Sequence, residues 1–347
     1  MRESPAIRKF FILCFIFIMI VSASARPAMA LSNAPPTDFS DQFNPGPVKC
    51  QVGGTCHIFG AAALFEAACY RKTKKHVSVS EAWLLVQHYL TELDHPDKTQ
   101  FDFIAYDENG GLPTAEKLAS DYRDDATQFI VPQETGTSNI TGLDAGAVPR
   151  ALSYCKTCGA LSCQELPFDD KFIKNLREIV ATVGHDEADT HNKLVDLWKN
   201  ATISEKVFLK SVEENHRGSH QVAATALKEK TRELLHSPEL DFSKAVATQD
   251  PALRECLQQG KPQMHWHKKV KASALPDLLN KYQQPVLCQG RVLYEEGLMP
   301  AGHHVFLVIG SRTVEGKTEF LLRDSNFDKP FWNSSLTECN PALRYEL

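Results

Sequence analysis

Cys50-Gln-Val-Gly-Gly-Thr-Cys56-His-Ile-Phe-Gly60 is the stretch of this sequence that decides the fold. Its glycines predict a turn, and the apolar and small residues that continue to Tyr70 predict a helix that is buried on most sides. Cys56 is therefore the first residue of a buried helix. The first-turn N–H groups and the helix dipole stabilise negative charge, so a cysteine in this position is a candidate thiolate nucleophile.

A thiol nucleophile needs a base and a group that orients the base, and the C-terminal part of the chain supplies both. Gly302-His-His304-Val-Phe-Leu-Val-Ile-Gly310 predicts a histidine that enters a strand, and Phe320-Leu-Leu-Arg-Asp324-Ser-Asn326-Phe327 predicts a second strand that ends in polar residues. We assign His304 as the base and Asp324 as the orienting acceptor. Asn326 is the alternative to Asp324.

The order Cys, His, Asp resembles that of the papain-like cysteine peptidases, and further motifs extend the resemblance. Val77-Ser-Val-Ser80-Glu81-Ala-Trp-Leu84 is similar to the family's "LSEQ-L" helix start, and Asn109-Gly110-Gly111 is similar to its "NGG" loop. His304 stands six residues before Gly310, as in the family's "HAVxxVG" strand. The resemblance covers roughly residues 45–125 and 275–330.

The resemblance implies an α+β, papain-like two-lobed fold, in which a helical lobe and an antiparallel β lobe flank a cleft. It implies hydrolysis of peptide bonds through a thioester acyl-enzyme, without a cofactor or a metal. Asp324 stands where the family usually has asparagine, and either side chain can accept a hydrogen bond from the histidine ring.

Two further site assignments follow from the resemblance. The family's oxyanion-hole glutamine corresponds to Gln51, which lies one residue closer to the cysteine than is usual; an exposed turn glutamine is the alternative. Gly110 and Gly111 are assigned to substrate binding, because a glycine loop offers a backbone edge to a peptide. A simple turn is the alternative for these glycines.

The N-terminal residues predict a secretory signal peptide over residues 1–30. Arg2, Arg8 and Lys9 precede the apolar run from Phe10 to Val21, and Ala28-Met-Ala30 offers a small-residue cleavage site. We therefore expect a secreted or periplasmic protein after cleavage near Ala30. No later stretch is long and apolar enough to predict a membrane-spanning helix.

The spacing of the site residues predicts an insertion. His304 follows Cys56 by 248 residues, whereas about 130–150 is usual for papain-type enzymes. We divide the chain into a helical lobe with the nucleophile (31–135), a helical, cysteine-containing insertion (136–270) and a β lobe with the catalytic His and Asp (271–347). The segment between Ala30 and Cys56 is too short for an inhibitory prodomain, which resembles the family's bacterial branch.

The chain has 10 cysteines, one of them in the predicted signal peptide. In an oxidising compartment, eight of the other nine can form up to four disulfides, which leaves Cys56 as the free thiol. The pairing stays open. A zinc site is the alternative use of the cluster formed by Cys155, Cys158, Cys163, His265 and His267, but secretion favours disulfides. We expect the two histidines to flank a turn.

Composition limits the function classes. The 347 residues are 43% hydrophobic with a net charge of -5, and no long basic run follows the signal, which excludes a nucleic-acid partner. We predict a monomeric cysteine peptidase that acts on a protein or peptide substrate. The shifted Gln51, and His57 in place of the family's tryptophan, motivate a catalytically decayed binding protein as one rival. A thiol amidase or transglutaminase-like enzyme is the other, because Cys-His-Asp serves these classes too.

Overall fold

The structure is a computed structural model that describes residues 36–45, 47–52, 54–94, 104–106, 148–200, 202–259, 263–267, 269–290, 304–340 and 342–347. In these ranges the helices are α1 (Cys56–Thr73), α2 (Glu81–Asp94), α3 (Val148–Thr157), α4 (Asp170–Lys199), α5 (Glu205–Leu234), α6 (Pro251–Leu257) and α7 (Leu275–Tyr282). The strands are β1 (Thr37–Asp38), β2 (Ile104–Tyr106), β3 (Gln263–His267), β4 (Val270–Lys271), β5 (Val286–Gly290), β6 (His304–Val314), β7 (Lys317–Arg323), β8 (Phe331–Asn333), β9 (Glu338–Cys339) and β10 (Ala342–Glu346).

Helix α1 is the centre of the helical part. It is buried on nearly every side, as its run of apolar and small residues predicts. One face packs against the sheet at β6, where Gly60 allows a close approach: a Cβ on Gly60 would lie 2.7 Å from Val305 Cγ1. The helix ends at Lys74, whose left-handed backbone closes the last turn through a hydrogen bond to the Tyr70 carbonyl.

A twisted sheet forms the β part, with the strand order β2-β3-β10-β5-β6-β7-β8 and β1 added beside β6. All of these pairs are antiparallel except β2 with β3. Alternate residues of β6 face opposite sides: Val305 and Leu307 join the core beneath α1, whereas Phe306 and Val308 pack on the side that α7 covers. Strands β4 and β9 form a separate two-stranded ladder.

The middle of the chain is helical. α3 packs on α1 and α2, and the 30-residue helices α4 and α5 pack against each other as a hairpin whose second helix contacts α2. β3 then enters the main sheet beside β10. His265 and His267 lie in this strand, so the expectation that they flank a turn is wrong. The strand forms because β10 pairs with it along its whole length, from Gln263 to His267.

Two disulfides join distant parts of the described chain. Cys69 of α1 is bonded to Cys256 of α6, and Cys288 of β5 to Cys339 of β9. The remaining described cysteines are thiols: Cys50, Cys56, Cys155, Cys158 and Cys163. Disulfides are thus present as predicted, but they number two of the four that the count allows.

The prediction of an α+β fold, with helices and an antiparallel sheet, is confirmed. In the ranges that the structure describes, no helix has the length and apolar character needed to cross a membrane. The predicted signal peptide at residues 1–30 and the substrate-binding Gly110 and Gly111 lie outside the described residues.

Candidate active site

Cys56 opens α1, as the sequence predicts, and its thiol is partly exposed. The residue before it, Thr55, does not cap the helix with its side chain; its hydroxyl donates instead to the carbonyl of Val52. The N–H groups of a helix's first turn have no partner within the helix. The thiol therefore lies at a helix end with an electropositive character and no capping side chain.

His304 and Asp324 meet where the start of β6 lies beside the end of β7. His304 is the first residue of β6, and Asp324 directly follows the last residue of β7, its antiparallel neighbour. The start of one strand and the end of its antiparallel neighbour lie side by side, which brings His304 Nε2 to 2.8 Å from Asp324 Oδ1. Both side chains are buried, the carboxylate completely.

The His304 ring also forms a hydrogen bond with Cys56. Because Asp324 contacts Nε2, the other ring nitrogen, Nδ1, is the one that remains for the thiol. Burial alone would lower the pKa of His304, but the hydrogen bonds to Asp324 and Cys56, together with their negative charges, raise it to about 10. A raised pKa favours the protonated imidazolium form of His304 at neutral pH.

Asn326, the alternative to Asp324, also lies at the histidine. Its side-chain nitrogen Nδ2 is 3.2 Å from His304 Nε2, and its backbone N–H donates to Asp324 Oδ1 at 2.9 Å. The structure thus brings both sequence-predicted acceptors to the same ring nitrogen. Asp324 makes the shorter contact and contributes a charge, so it is the stronger partner of His304.

Gln51 is held by Ser325, the residue that follows Asp324. The Gln51 N–H donates to the Ser325 carbonyl at 2.9 Å, and the Ser325 hydroxyl donates to Gln51 Oε1. The second bond fixes the carboxamide so that its oxygen faces Ser325 and its NH₂ group points away. The one-residue shift of Gln51 noted in the sequence does not separate it from the segment that carries Asp324.

A charge cluster joins the partly buried Lys49 to two buried glutamates. Lys49 Nζ is 2.8 Å from Glu66 Oε1 of α1 and 2.7 Å from Glu81 Oε1 of α2, and it also donates to the carbonyl of Val79 at 2.9 Å. Burial opposes the charged form of Lys49, but the two glutamates outweigh it and raise the pKa. This Lys49 cluster ties the segment before Gln51 to the first two helices.

The Lys49 cluster borders a small cavity between α1 and the sheet. Arg323, which precedes Asp324, lines the cavity together with Glu66 and Val305, and its guanidinium lies over the Phe43 ring. Ser325 reaches the cavity wall, but neither Cys56 nor His304 does. The cavity is therefore a feature of the packing behind the candidate site.

His57, which stands where the family has tryptophan, points into the protein. It is 1% exposed, and its ring contacts the buried His88 of α2 edge-to-face at a centroid distance of 5.0 Å. Burial and the nearby His88 and Arg150 lower the pKa of His57 well below its ordinary value, and the Gly54 carbonyl offsets only part of this effect. His57 is thus a neutral core residue beside the nucleophile.

Sequence analysis missed two features of the site. Nothing singled out Ser325 as the partner of Gln51, although it stands between the two candidate acceptors. It lies in the turn after β7, and its hydroxyl donates to Gln51 Oε1. Lys49 carried no signal either, because its two glutamate partners lie 17 and 32 residues further along the chain. In the described residues, no cluster of three or more His, Cys, Asp or Glu side chains could hold a metal.

The arrangement is suited to acyl transfer. A thiol at a helix N-terminus, an imidazole that contacts it and a buried carboxylate on the far ring nitrogen are the three parts of a nucleophile–base–orienter constellation. A fixed carboxamide on the neighbouring segment adds a donor of the kind that binds an oxyanion.

No protein-family model matches this chain, and no curated protein matches it. Similar solved structures include the digestive procathepsin L 3 of Tenebrio molitor larval midgut, at 12% identity and a TM-score of 0.41, covering 91% of this chain and 72% of that one. Another is PepW from Lactobacillus rhamnosis, at 12% identity and a TM-score of 0.43, covering 90% and 82%. A third is the Amb a 11 cysteine protease, a ragweed pollen allergen in its proform, at 12% identity and 0.38, covering 92% and 68%.

Proposed function

We propose that this protein is a papain-like cysteine peptidase in which Cys56 is the nucleophile and His304 and Asp324 complete the triad. One observation carries the proposal: the His304 ring contacts the Cys56 thiol and, through Nε2, the buried Asp324 carboxylate at 2.8 Å. Strand pairing brings His304 and Asp324 together, whereas Cys56 comes from a helix start 248 residues before His304. Core packing alone does not require that they meet.

The chemistry follows from this geometry. The Cys56 thiolate attacks the carbonyl carbon of the scissile peptide bond, and a tetrahedral oxyanion forms. His304 gives its Nδ1 proton to the leaving amine as the C–N bond breaks, which leaves a thioester on Cys56. His304 then takes a proton from water, the hydroxide attacks the thioester, and the carboxylic acid product departs as the thiolate re-forms. Asp324 holds Nε2–H throughout.

The oxyanion is assigned to two donors, the backbone N–H of Cys56 and the carboxamide NH₂ of Gln51. The bond from Ser325 to Gln51 Oε1 supports this assignment, because it orients the amide before a substrate arrives. Gly110 and Gly111 are proposed as the backbone edge that pairs with the peptide. Secretion after cleavage near Ala30 belongs to the same proposal, and the two disulfides support it.

The test is covalent labelling with an epoxide inhibitor of papain-like enzymes, followed by intact mass and peptide mapping. We expect one adduct on Cys56, lost in Cys56→Ala and in His304→Ala. Cys50→Ala is the matched control: the Cys50 thiol is exposed and donates to the Val48 carbonyl at 3.8 Å, so labelling should persist without it. Hydrolysis of unfolded protein substrates should follow the same pattern.

Other outcomes separate the rival functions. Folded protein whose Cys56 stays unlabelled would contradict the peptidase and favour the decayed binding protein. Labelling of Cys56 without hydrolysis of peptides, but with release of ammonia from glutamine side chains or small amides, would favour the amidase or transglutaminase-like enzyme.

A further inference from the structure

Asn326 makes two contacts that converge on the hydrogen bond between His304 and Asp324. Its carboxamide lies 3.2 Å from His304 Nε2, and its backbone N–H donates to the same Asp324 oxygen that contacts the ring. We infer that Asn326 is a positioning residue for the His304 imidazole, whose carboxamide oxygen is a second, uncharged acceptor for the Nε2–H. This inference rests on the proposed function and specifies how its base is held.

The donor pattern requires this orientation of the carboxamide. His304 Nε2 keeps its proton in both the imidazolium and the neutral form that Asp324 selects, so it is a donor in every step. An NH₂ group at 3.2 Å would place a donor against a donor. A half-turn of the Asn326 amide exchanges its nitrogen and oxygen with almost no change in shape, and it converts the contact into an accepted hydrogen bond.

Asn326 differs from His304 and Asp324 in its exposure to solvent. The Asp324 side chain is fully buried and that of His304 is 7% exposed, whereas Asn326 is exposed. Asn326 therefore lies on the solvent side of the ion pair. A hydrogen bond shielded from water is stronger than an exposed one, so a side chain that covers this edge strengthens the pair that it contacts.

The three residues after β7 lie in a turn and contact two different partners. Asp324 and Asn326 both turn to His304, and Ser325 between them turns to Gln51. One short segment thus sets the base and the proposed oxyanion donor together. The charged groups that act on the ring are Asp324, which follows β7, and Cys56 of α1. Asn326 adds an acceptor without adding a third charge.

The experiment measures His304 directly, by NMR titration of its ring signals in histidine-labelled full-length protein, with His304→Ala to assign them. Asn326→Ala should lower the midpoint of the His304 titration by about 0.5–1 pH unit, because a hydrogen bond from the imidazolium is about 1 kcal/mol stronger than one from the neutral ring. Asn326→Asp keeps an acceptor and adds charge, so it should raise the midpoint above that of the wild type. Asn340→Ala, at another exposed asparagine, is the control and should leave it unchanged.

Peptidase kinetics provide the second readout. Asn326→Ala should lower kcat about threefold to tenfold with little change in KM, and its rate should fall at a lower pH on the alkaline side. An unchanged His304 midpoint in Asn326→Ala, or a lowered one in Asn326→Asp, would overturn the inference. If the wild type takes no epoxide on Cys56 while the His304 midpoint still moves with Asn326, the proposed function fails and the positioning role stands.

Discussion

His304 Nε2 lies 2.8 Å from Asp324 Oδ1, and this contact joins the first residue of one strand to the residue just beyond its antiparallel neighbour. Because the carboxylate is completely buried, its charge is poorly screened at the ring. Cys56 approaches from the helix on the other side. The contact therefore determines the pH at which the histidine beside the thiol loses its proton.

Asp324→Asn tests the charge separately from the hydrogen bond. Asparagine can still accept from Nε2–H, so activity near pH 7 should stay within about tenfold of the wild type. The carboxylate charge is lost, however, and the pKa of His304 should fall from about 10. Since the active form needs the imidazolium, the alkaline limb of the kcat/KM profile should move to lower pH. Asp324→Ala, which also removes the acceptor, should lose more activity.

The control for this prediction is the acid limb in the same variants. Asp324 is hydrogen-bonded to the ring itself, so loss of its charge should move the alkaline limb further than the acid limb. An alkaline limb that stays in place in Asp324→Asn would show that another group governs the histidine.

Gln51 and Ser325 are predicted to act as a unit. Gln51→Ala should lower kcat by about 10²–10³, the usual cost of one oxyanion donor. Ser325→Ala should produce a smaller loss in the same direction, because the carboxamide remains but loses the hydroxyl that orients it. Alkylation of Cys56 by iodoacetamide forms no oxyanion, so its rate should be unchanged in both variants. Equal losses of alkylation and of hydrolysis would indicate a disturbed helix start instead.

Local sequence signals predicted the parts of this site that depend on one element at a time. Cys56 starts a helix because a glycine turn precedes an apolar run, and His304 starts a strand because an apolar run follows it. The α+β class follows from the change between these two patterns. Asp324 was preferred to Asn326 because it stands where the family has asparagine, and both were identified because they lie just beyond a predicted strand.

Contacts between distant segments could not be predicted in this way. Ser325 meets Gln51 across 274 residues, and Lys49 meets Glu81 across 32. Such pairs are set by how helices and sheet pack, and no local period encodes them. The cysteine count likewise allowed four disulfides, but Cys155 and Cys163 are not bridged. Cys155 is buried, and the partly exposed Cys163 thiol donates to the Val79 carbonyl at 2.9 Å.

The Lys49 cluster should be essential to stability through its balance of charges. Lys49→Met removes the cation that both buried glutamates contact directly and should lower the free energy of unfolding by about 3 kcal/mol or more, measured by urea denaturation. Converting both partners as well, in Lys49→Met with Glu66→Gln and Glu81→Gln, should recover a substantial part of that loss. A triple variant as unstable as the single one would mean that the shape of the Lys49 side chain, and not its charge, stabilises the cluster.

Gly60 should tolerate no side chain unless the sheet makes room. A Cβ there would lie 2.7 Å from Val305 Cγ1 and 3.1 Å from Leu287 Cδ1, and a β-branched valine has little rotamer freedom with which to yield. Gly60→Ala should therefore cost about 1–3 kcal/mol in thermal or urea unfolding. In a Gly60→Ala background, Val305→Ala should lower the free energy of unfolding by less than it does in the wild type. Additive losses would contradict the proposed contact.

Acid should weaken the fold through His57. In the folded protein the ring is buried against His88 and stays neutral, because its pKa is well below the ordinary value. In the unfolded chain it takes up a proton near pH 6.5. The unfolded state therefore binds more protons below this pH, and the free energy of unfolding should fall as the pH decreases, with a slope from His57 approaching about 1.4 kcal/mol per pH unit.

His57→Phe isolates this contribution, because phenylalanine keeps a ring and cannot be protonated. The pKa values of His265 and His267 are also lowered by burial, so the slope will not vanish, but the difference between variant and wild type belongs to His57. Urea unfolding at several pH values between 5 and 8 should give a shallower decline below pH 6.5 in His57→Phe and an unchanged decline in the exposed control His76→Phe. Parallel curves for His57→Phe and wild type would show that the ring is protonated equally in both states, and that acid acts on this fold elsewhere.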